Sequence, residues 1–263
     1  MRRAIVVVFA AALAVSGADA VGPAGPVTLT GELSASLGGV IVAAGGFEAT
    51  IADGAYRVSG YGRTAGIGRM FSNGEARVES SGRLSQAALR PAGYRHELKQ
   101  KRDADVVAIA FAGERVESVA IVPPLKPRSD RVPLAEQHLR KVFDPLSAVV
   151  QLSAGPAAPE LCERTLPIFD GEQRYDVELS FKRMDDVGGP RGGYAGPAYV
   201  CAIRYRPIAG HRPTRSGVKF LQKVEGMEIW LAEIGEGVVA PVRARVPTPF
   251  GPLVVSATRL SLR

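Results

Sequence analysis

The chain has 263 residues, and its 33 Lys and Arg against 26 Asp and Glu leave a net charge of +7 at pH 7. A chain this long buries roughly 70–75% of its unfolded surface, so it needs no covalent staple merely to fold. Its arginines suit phosphate or carboxylate partners, or else form a scattered, solvated basic surface.

Residues 1–20, MRRAIVVVFAAALAVSGADA, read as an export signal. Arg2 and Arg3 give the positive start, Ala4 to Val15 an uncharged apolar stretch, and Ala18-Asp19-Ala20 a small-x-small cleavage site. The stretch is too short for a membrane span, which needs about 20 predominantly apolar residues. With no Cys near the cut, a lipid anchor is not expected. The expectation is a periplasmic protein beginning near Val21, a single β-rich domain over 21–263 with no membrane span. Export also removes it from nucleic acid.

The first half then reads as strands and sharp turns. Residues 27–37 and 40–52 flank Gly38-Gly39. Asp53-Gly54 is a two-residue hairpin signal, because both central positions of a type I′ turn take positive φ. It leads into 55–63. The Gly-rich 64–71, TAGIGRMF, suits a short helical or bulged excursion, and Asn73-Gly74 is a second hairpin signal opening 75–84. Strands over 87–99, 104–111 and 115–122 follow. The stretch 123–133, PPLKPRSDRVP, is too rich in proline for a central strand and favours an extended polyproline conformation.

The clearest helix signal comes next. Asp144 as N-cap and Pro145 at the first helical position lead 146–154 toward Gly155-Pro156 as a stop. Its apolar residues share one side, so the helix is expected to pack on the sheet. Further strands are expected at 162–169, after which Asp170-Gly171 marks a third hairpin, and at 174–184. The glycine loop 185–197 reads as mobile, with Asp185 and Asp186 solvated. Strands over 198–208, 218–234, 239–246 and 253–262 complete a count of about twelve strands and one helix, with a basic loop at 209–217. No helix–strand alternation supports a doubly wound fold.

The two cysteines, Cys162 and Cys201, have apolar neighbours and no ligand-spaced partner, so a structural disulfide is expected rather than a metal site. It would close a loop of about 40 residues and stabilise by about 4 kcal/mol in the chain-entropy model.

No nucleophile elbow, zinc-binding His-Glu-x-x-His or phosphate-binding loop occurs, and His96, His138 and His211 lie in separate segments. The expectation is a protein without enzymatic activity, cofactor or metal. The best binding candidate is the basic segment 204–219, in which Arg204, Arg206, Arg212 and Arg215 could hold an acidic head group. Its plainer reading is a solvated loop. Trp230 alternates with Ile229 and Leu231, so it is either a core residue or the wall of an apolar pocket.

The segments TAGIGRMF (64–71), LRPAGYRHE (89–97), DPLSAVV (144–150), IFDGEQRYDVELS (168–180), VCAIRYRPIAG (200–210) and EIWLAE (228–233) occur in that order. In that order they resemble the DUF3108 family of exported bacterial proteins, in its two-cysteine form. The resemblance implies a mainly β fold: a strongly curved antiparallel sheet, open barrel or β-spiral, similar to lipoprotein carriers and partly wrapping one helix. Residues 144–154 would be that helix. Two functions fit this outline. One is reversible binding of an apolar or amphipathic acidic envelope molecule, possible lipid included, in the concave face. The other is a structural protein supporting the cell envelope through protein or wall-polymer contacts.

Overall fold

The computed structural model describes residues 26–263 apart from 71, 86–87, 101–102, 153–158, 190–192 and 236, so the export signal expected at 1–20 lies outside the described residues. Seven strands come first: β1 (Val27–Leu37), β2 (Val40–Ala52), β3 (Ala55–Thr64), β4 (Glu75–Ser85), β5 (Ala88–Gln100), β6 (Asp103–Ala112) and β7 (Arg115–Val122). After α1 (Pro145–Leu152) come β8 (Arg164–Phe169), β9 (Arg174–Val187) and β10 (Gly196–Ala209). Then α2 (Ser216–Lys223) precedes β11 (Met227–Gly235), β12 (Val238–Val246) and β13 (Leu253–Leu262). All thirteen strands join one sheet in the order β7-β6-β5-β4-β3-β2-β1-β13-β12-β11-β10-β9-β8. Every pairing is antiparallel.

The sheet must curve strongly, because one apolar cluster takes side chains from β1 to β8 and from β12. Strands spaced about 4.8 Å apart would put those residues far out of reach of one another in a flat sheet. Leu29, Phe47, Tyr56, Val58, Val78, Tyr94 and Ile109 line the concave face, and α1 lies against them. Bulges interrupt the β1–β13, β1–β2, β4–β5 and β6–β7 ladders and add local bend. At Gly31 the ring of Phe47 sits where a side chain would begin: an added Cβ would lie 2.2 Å from Phe47 Cε1.

Among the described residues no ladder joins the two edges, β7 and β8. Residues 140–143 lie between them instead. Lys141 N–H donates to Glu114 O (2.6 Å), while Phe143 N–H donates to Pro167 O (2.8 Å) and Phe143 O accepts Phe169 N–H (2.8 Å). This irregular segment gives each edge a partner at that point, which answers part of the exposed-edge problem of an open sheet. The proline-rich stretch before it is tied down as well. Arg131 donates to Glu172 (2.6 Å) and Val132 N–H donates to His211 O (2.9 Å).

Turn chemistry explains much of the topology. Asp53 (φ 50°) and Gly54 (φ 67°) form the two-residue turn between β2 and β3. Asp170 accepts the N–H groups of Glu172 (2.9 Å) and Gln173 (2.6 Å), which folds the β8–β9 connection. Asn73-Gly74 opens β4 but closes no two-residue hairpin: a 3-10 turn over Gly66–Met70 lengthens the connection.

Three further expectations need correction. The single strand over 218–234 is in fact α2 followed by β11. Pairing of β10 with β11 starts only at Ile203↔Met227, so residues before Met227 have no strand partner and satisfy their backbone groups within a helix. Cys162 ends a 3-10 turn over Pro159–Cys162 rather than starting a strand. Finally, β9 runs on to Val187, so Asp185 and Asp186 belong to a strand and not to the glycine loop.

Candidate functional site

The concavity is organised around Asp144, which is fully buried at the start of α1. One carboxylate oxygen accepts the backbone N–H groups of Leu146 and Ser147, both at 3.0 Å, as an N-cap should. The other accepts the hydroxyls of Ser147 and Ser80, the latter at 3.1 Å. Ser147 and Ser80 also meet each other (2.9 Å), and the Tyr56 hydroxyl closes on Ser147 (2.6 Å). The network thus joins α1 to β3 and β4. Burial lifts the Asp144 carboxyl to about 6 against the pull of its donors. Burial likewise raises the Tyr56 hydroxyl. No solvent reaches Asp144 or Ser147, both 0% exposed, so the arrangement anchors a helix instead of presenting a nucleophile.

The helix fills the space it enters. Leu146 and Val150 pack with the β1–β7 cluster, while Ala148 and Leu152 pack with a second cluster from β8 to β12. That second cluster contains the disulfide, Cys162–Cys201, with Cα atoms 5.2 Å apart.

The five residues singled out as a binding site do not converge. Trp230 is 4% exposed and lies on the face of β11 opposite Ile229 and Leu231. It belongs to a third cluster with Val200, Ala232 and Val242. Its indole N–H donates to Asp185 (2.8 Å), and the guanidinium groups of Arg183 and Arg243 stand 5.7 and 5.8 Å from the ring. The Trp230 hydrogen bond, then Arg183, holds the Asp185 carboxyl below the usual carboxylate range. Trp230 therefore lines no part of the α1 cavity.

Arg204 and Arg206 are exposed on β10, on the same face as Trp230. Arg204 stands about 13 Å along the strand from Val200, the residue that pairs with Trp230. Arg206 meets Glu178 of β9 (3.2 Å). Between them and Trp230 lies Glu228, where burial works to raise the carboxyl but Arg183 (3.0 Å) and Lys182 (2.5 Å) hold it low. Arg212 binds Asp130 (2.8 Å), and Thr214 joins it (2.6 Å). The Arg212 and Thr214 hydrogen bonds pull the Asp130 carboxyl down to about 2. Arg215 is the residue before α2. Arg206 and Arg212 thus have acids of the chain itself as partners.

The histidines remain apart. His138 accepts Ala135 N–H (3.0 Å) in a 3-10 turn, while His96 on β5 and His211 in the loop after β10 are both lowered by burial. Among the described residues no three His, Cys, Asp or Glu side chains are placed to hold a metal ion, and no helix is long and apolar enough to cross a membrane.

Fold and site together define a β-barrel-like protein whose concavity is occupied by its own capped helix. The sequence model of a family described as "Protein of unknown function (DUF3108)" matches residues 32–258, and the chain belongs to that family. No curated protein matches it. It is similar to the crystal structure of a β-barrel-like protein of the domain of unknown function DUF1849 from Brucella abortus. There the identity is 9%, the alignment covers 96% of this chain and 100% of that one, and the TM-score is 0.47.

Proposed function

We propose that this is a non-enzymatic envelope protein that acts outside the cytoplasm by holding partners at its surface. One observation carries this reading: α1 takes the room an internal ligand would need. Leu146, Ala148, Val150 and Leu152 are 1–4% exposed, and its first turn is bound to two strands. A carrier reading requires α1 to leave, which would break the buried hydrogen bonds that tie Asp144 and Ser147 to Ser80 and Tyr56 of the sheet. Breaking such a buried network is costly. The disulfide supports an oxidising compartment. The exposed arginines on β10 fit an acidic wall polymer or protein.

Native mass spectrometry of protein purified without detergent tests the choice. The expected spectrum is a chain mass with no added amphiphile. A mass that matches a lipid and leaves on denaturation would overturn this reading in favour of an internal carrier.

A further inference from the structure

Three connections at one end of the sheet present large apolar side chains to solvent. The start of β2, just after the β1–β2 turn, exposes Val40 (45%) and Ile41 (50%), the β3–β4 connection Ile67 (47%) and Met70 (82%), and the β12–β13 turn Phe250 (82%). Single exposed apolar residues are ordinary, but a group of this size is not.

These side chains are held out by tied backbone. Gly38 N–H donates to Pro252 O (3.0 Å), joining the first turn to the third. Ala65 N–H donates to Val42 O (2.9 Å), joining the second to the first. Gly66 and Gly68 lie so close to β2 that an added Cβ would be 2.3 Å from Ile41 O and 2.2 Å from Val42 O. Thr248 accepts Phe250 N–H (3.2 Å) and donates to Gly251 O (2.6 Å), which fixes the turn behind the phenyl ring.

Charge distinguishes this end further. Residues 38–41, 65–74 and 247–252 contain no carboxylate, and their single charge is Arg69, exposed between Ile67 and Met70. Next to them, a Cβ added at Gly226 would lie 3.5 Å from Pro247 Cγ, so the segment just after α2 adjoins the third turn. Lys219 and Lys223 flank Phe220 on one face of that helix, bordering a shallow depression of about 480 Å³. Glu225 follows at its edge.

We propose that this end docks on the surface of an anionic lipid bilayer, with Met70, Phe250, Ile41 and Ile67 entering the acyl boundary and Arg69, Lys219 and Lys223 meeting the head groups. Separate apolar points projecting from rigid turns fit a deformable interface better than the flat, complementary face of a protein partner. Arg69, Lys219 and Lys223 outnumber the exposed acids beside them, Glu75 and Glu225, which matches anionic lipid.

Cosedimentation with vesicles of phosphatidylcholine, with and without phosphatidylglycerol, tests it. The full chain should partition onto the anionic vesicles and much less onto neutral ones, and added salt should weaken the binding. A Met70→Ser/Phe250→Ser variant should lose about tenfold or more in partition coefficient. Phe181→Ser, a half-exposed change on β9, should leave partitioning unchanged and serves as the control. Circular dichroism establishes that each variant is folded. No binding by the unaltered chain, or equal binding by the double variant, overturns the proposal. So does a dimer in sedimentation equilibrium without vesicles that the double variant abolishes, which would assign the patch to a second copy.

Discussion

At Asp144 a short polar side chain does two jobs, capping α1 and fastening it to strands from the other side of the cavity. Its carboxyl is lifted from 3.8 to about 6 by burial, so the folded state holds that proton more tightly than the unfolded chain. The sign follows: this group's contribution to stability is greatest below about pH 4 and is lost as pH rises toward about 6. Asp170, also lifted to about 6 by burial, acts in the same direction. Asp144→Asn keeps an acceptor for the cap and removes the titration. Urea unfolding of this variant should show a smaller loss of stability between pH 4 and 7 than the unaltered protein. An identical loss would mean that Asp144 is not the group responsible. A second residue offers a built-in reporter. Trp230 is the chain's single tryptophan, and its N–H is held by Asp185. Asp185→Ala leaves a buried donor unpaired, at a cost of about 1–3 kcal/mol. A shifted fluorescence emission maximum and a lower unfolding midpoint are expected together.

Elements show where sequence reasoning succeeds. Asp53-Gly54 and the Asp144-Pro145 start of α1 were legible because each depends on residues adjacent in the chain. The disulfide was legible because two cysteines allow one pairing. Partners far apart in sequence were not. Ser80 and Tyr56 lie 64 and 91 residues from the atoms they bond, and nothing local marks them. Asp185 read as a solvated loop acid because its indole partner is a β11 residue. The alternation of Val218, Phe220 and the residues beyond suits a strand as well as a short helix, and only the missing neighbour decides. The arginine set shows the same limit, since Asp130 and Glu178 claim Arg212 and Arg206 through tertiary contacts. Two element-scale outcomes follow. Reduction of Cys162–Cys201 should cost about 4 kcal/mol in urea unfolding, because a loop of about 40 residues is released. Gly31→Ala drives a methyl group into the Phe47 ring and should cost about 1–3 kcal/mol, as overpacking does; a neutral result would show that the ring has room to move.

For the whole molecule, the decisive arrangement is a meander broken once. Each of the first seven strands pairs with its sequence neighbour, as do the last six, and a single long-range ladder, β1 with β13, welds the halves. Residues 140–143 serve the opposite edges. Phe143→Pro removes the N–H that reaches Pro167 O and should raise aggregation in light scattering, with little change in far-ultraviolet circular dichroism. The weld also sets a timetable. While the chain is being made, or threaded through a pore from its first residue, β1 can find β2 at once but waits for the last strand to appear. Until then one side of β1 offers unpaired amides and carbonyls, and Gly31, Leu33 and Ala35 are without Leu260, Ala257 and Val255. A chain stopped before Leu253 would stay in that waiting state, with β1 and β12 both lacking the strand between them. Chaperones that shield strand edges would be needed for the full span between the emergence of the first strand and the last.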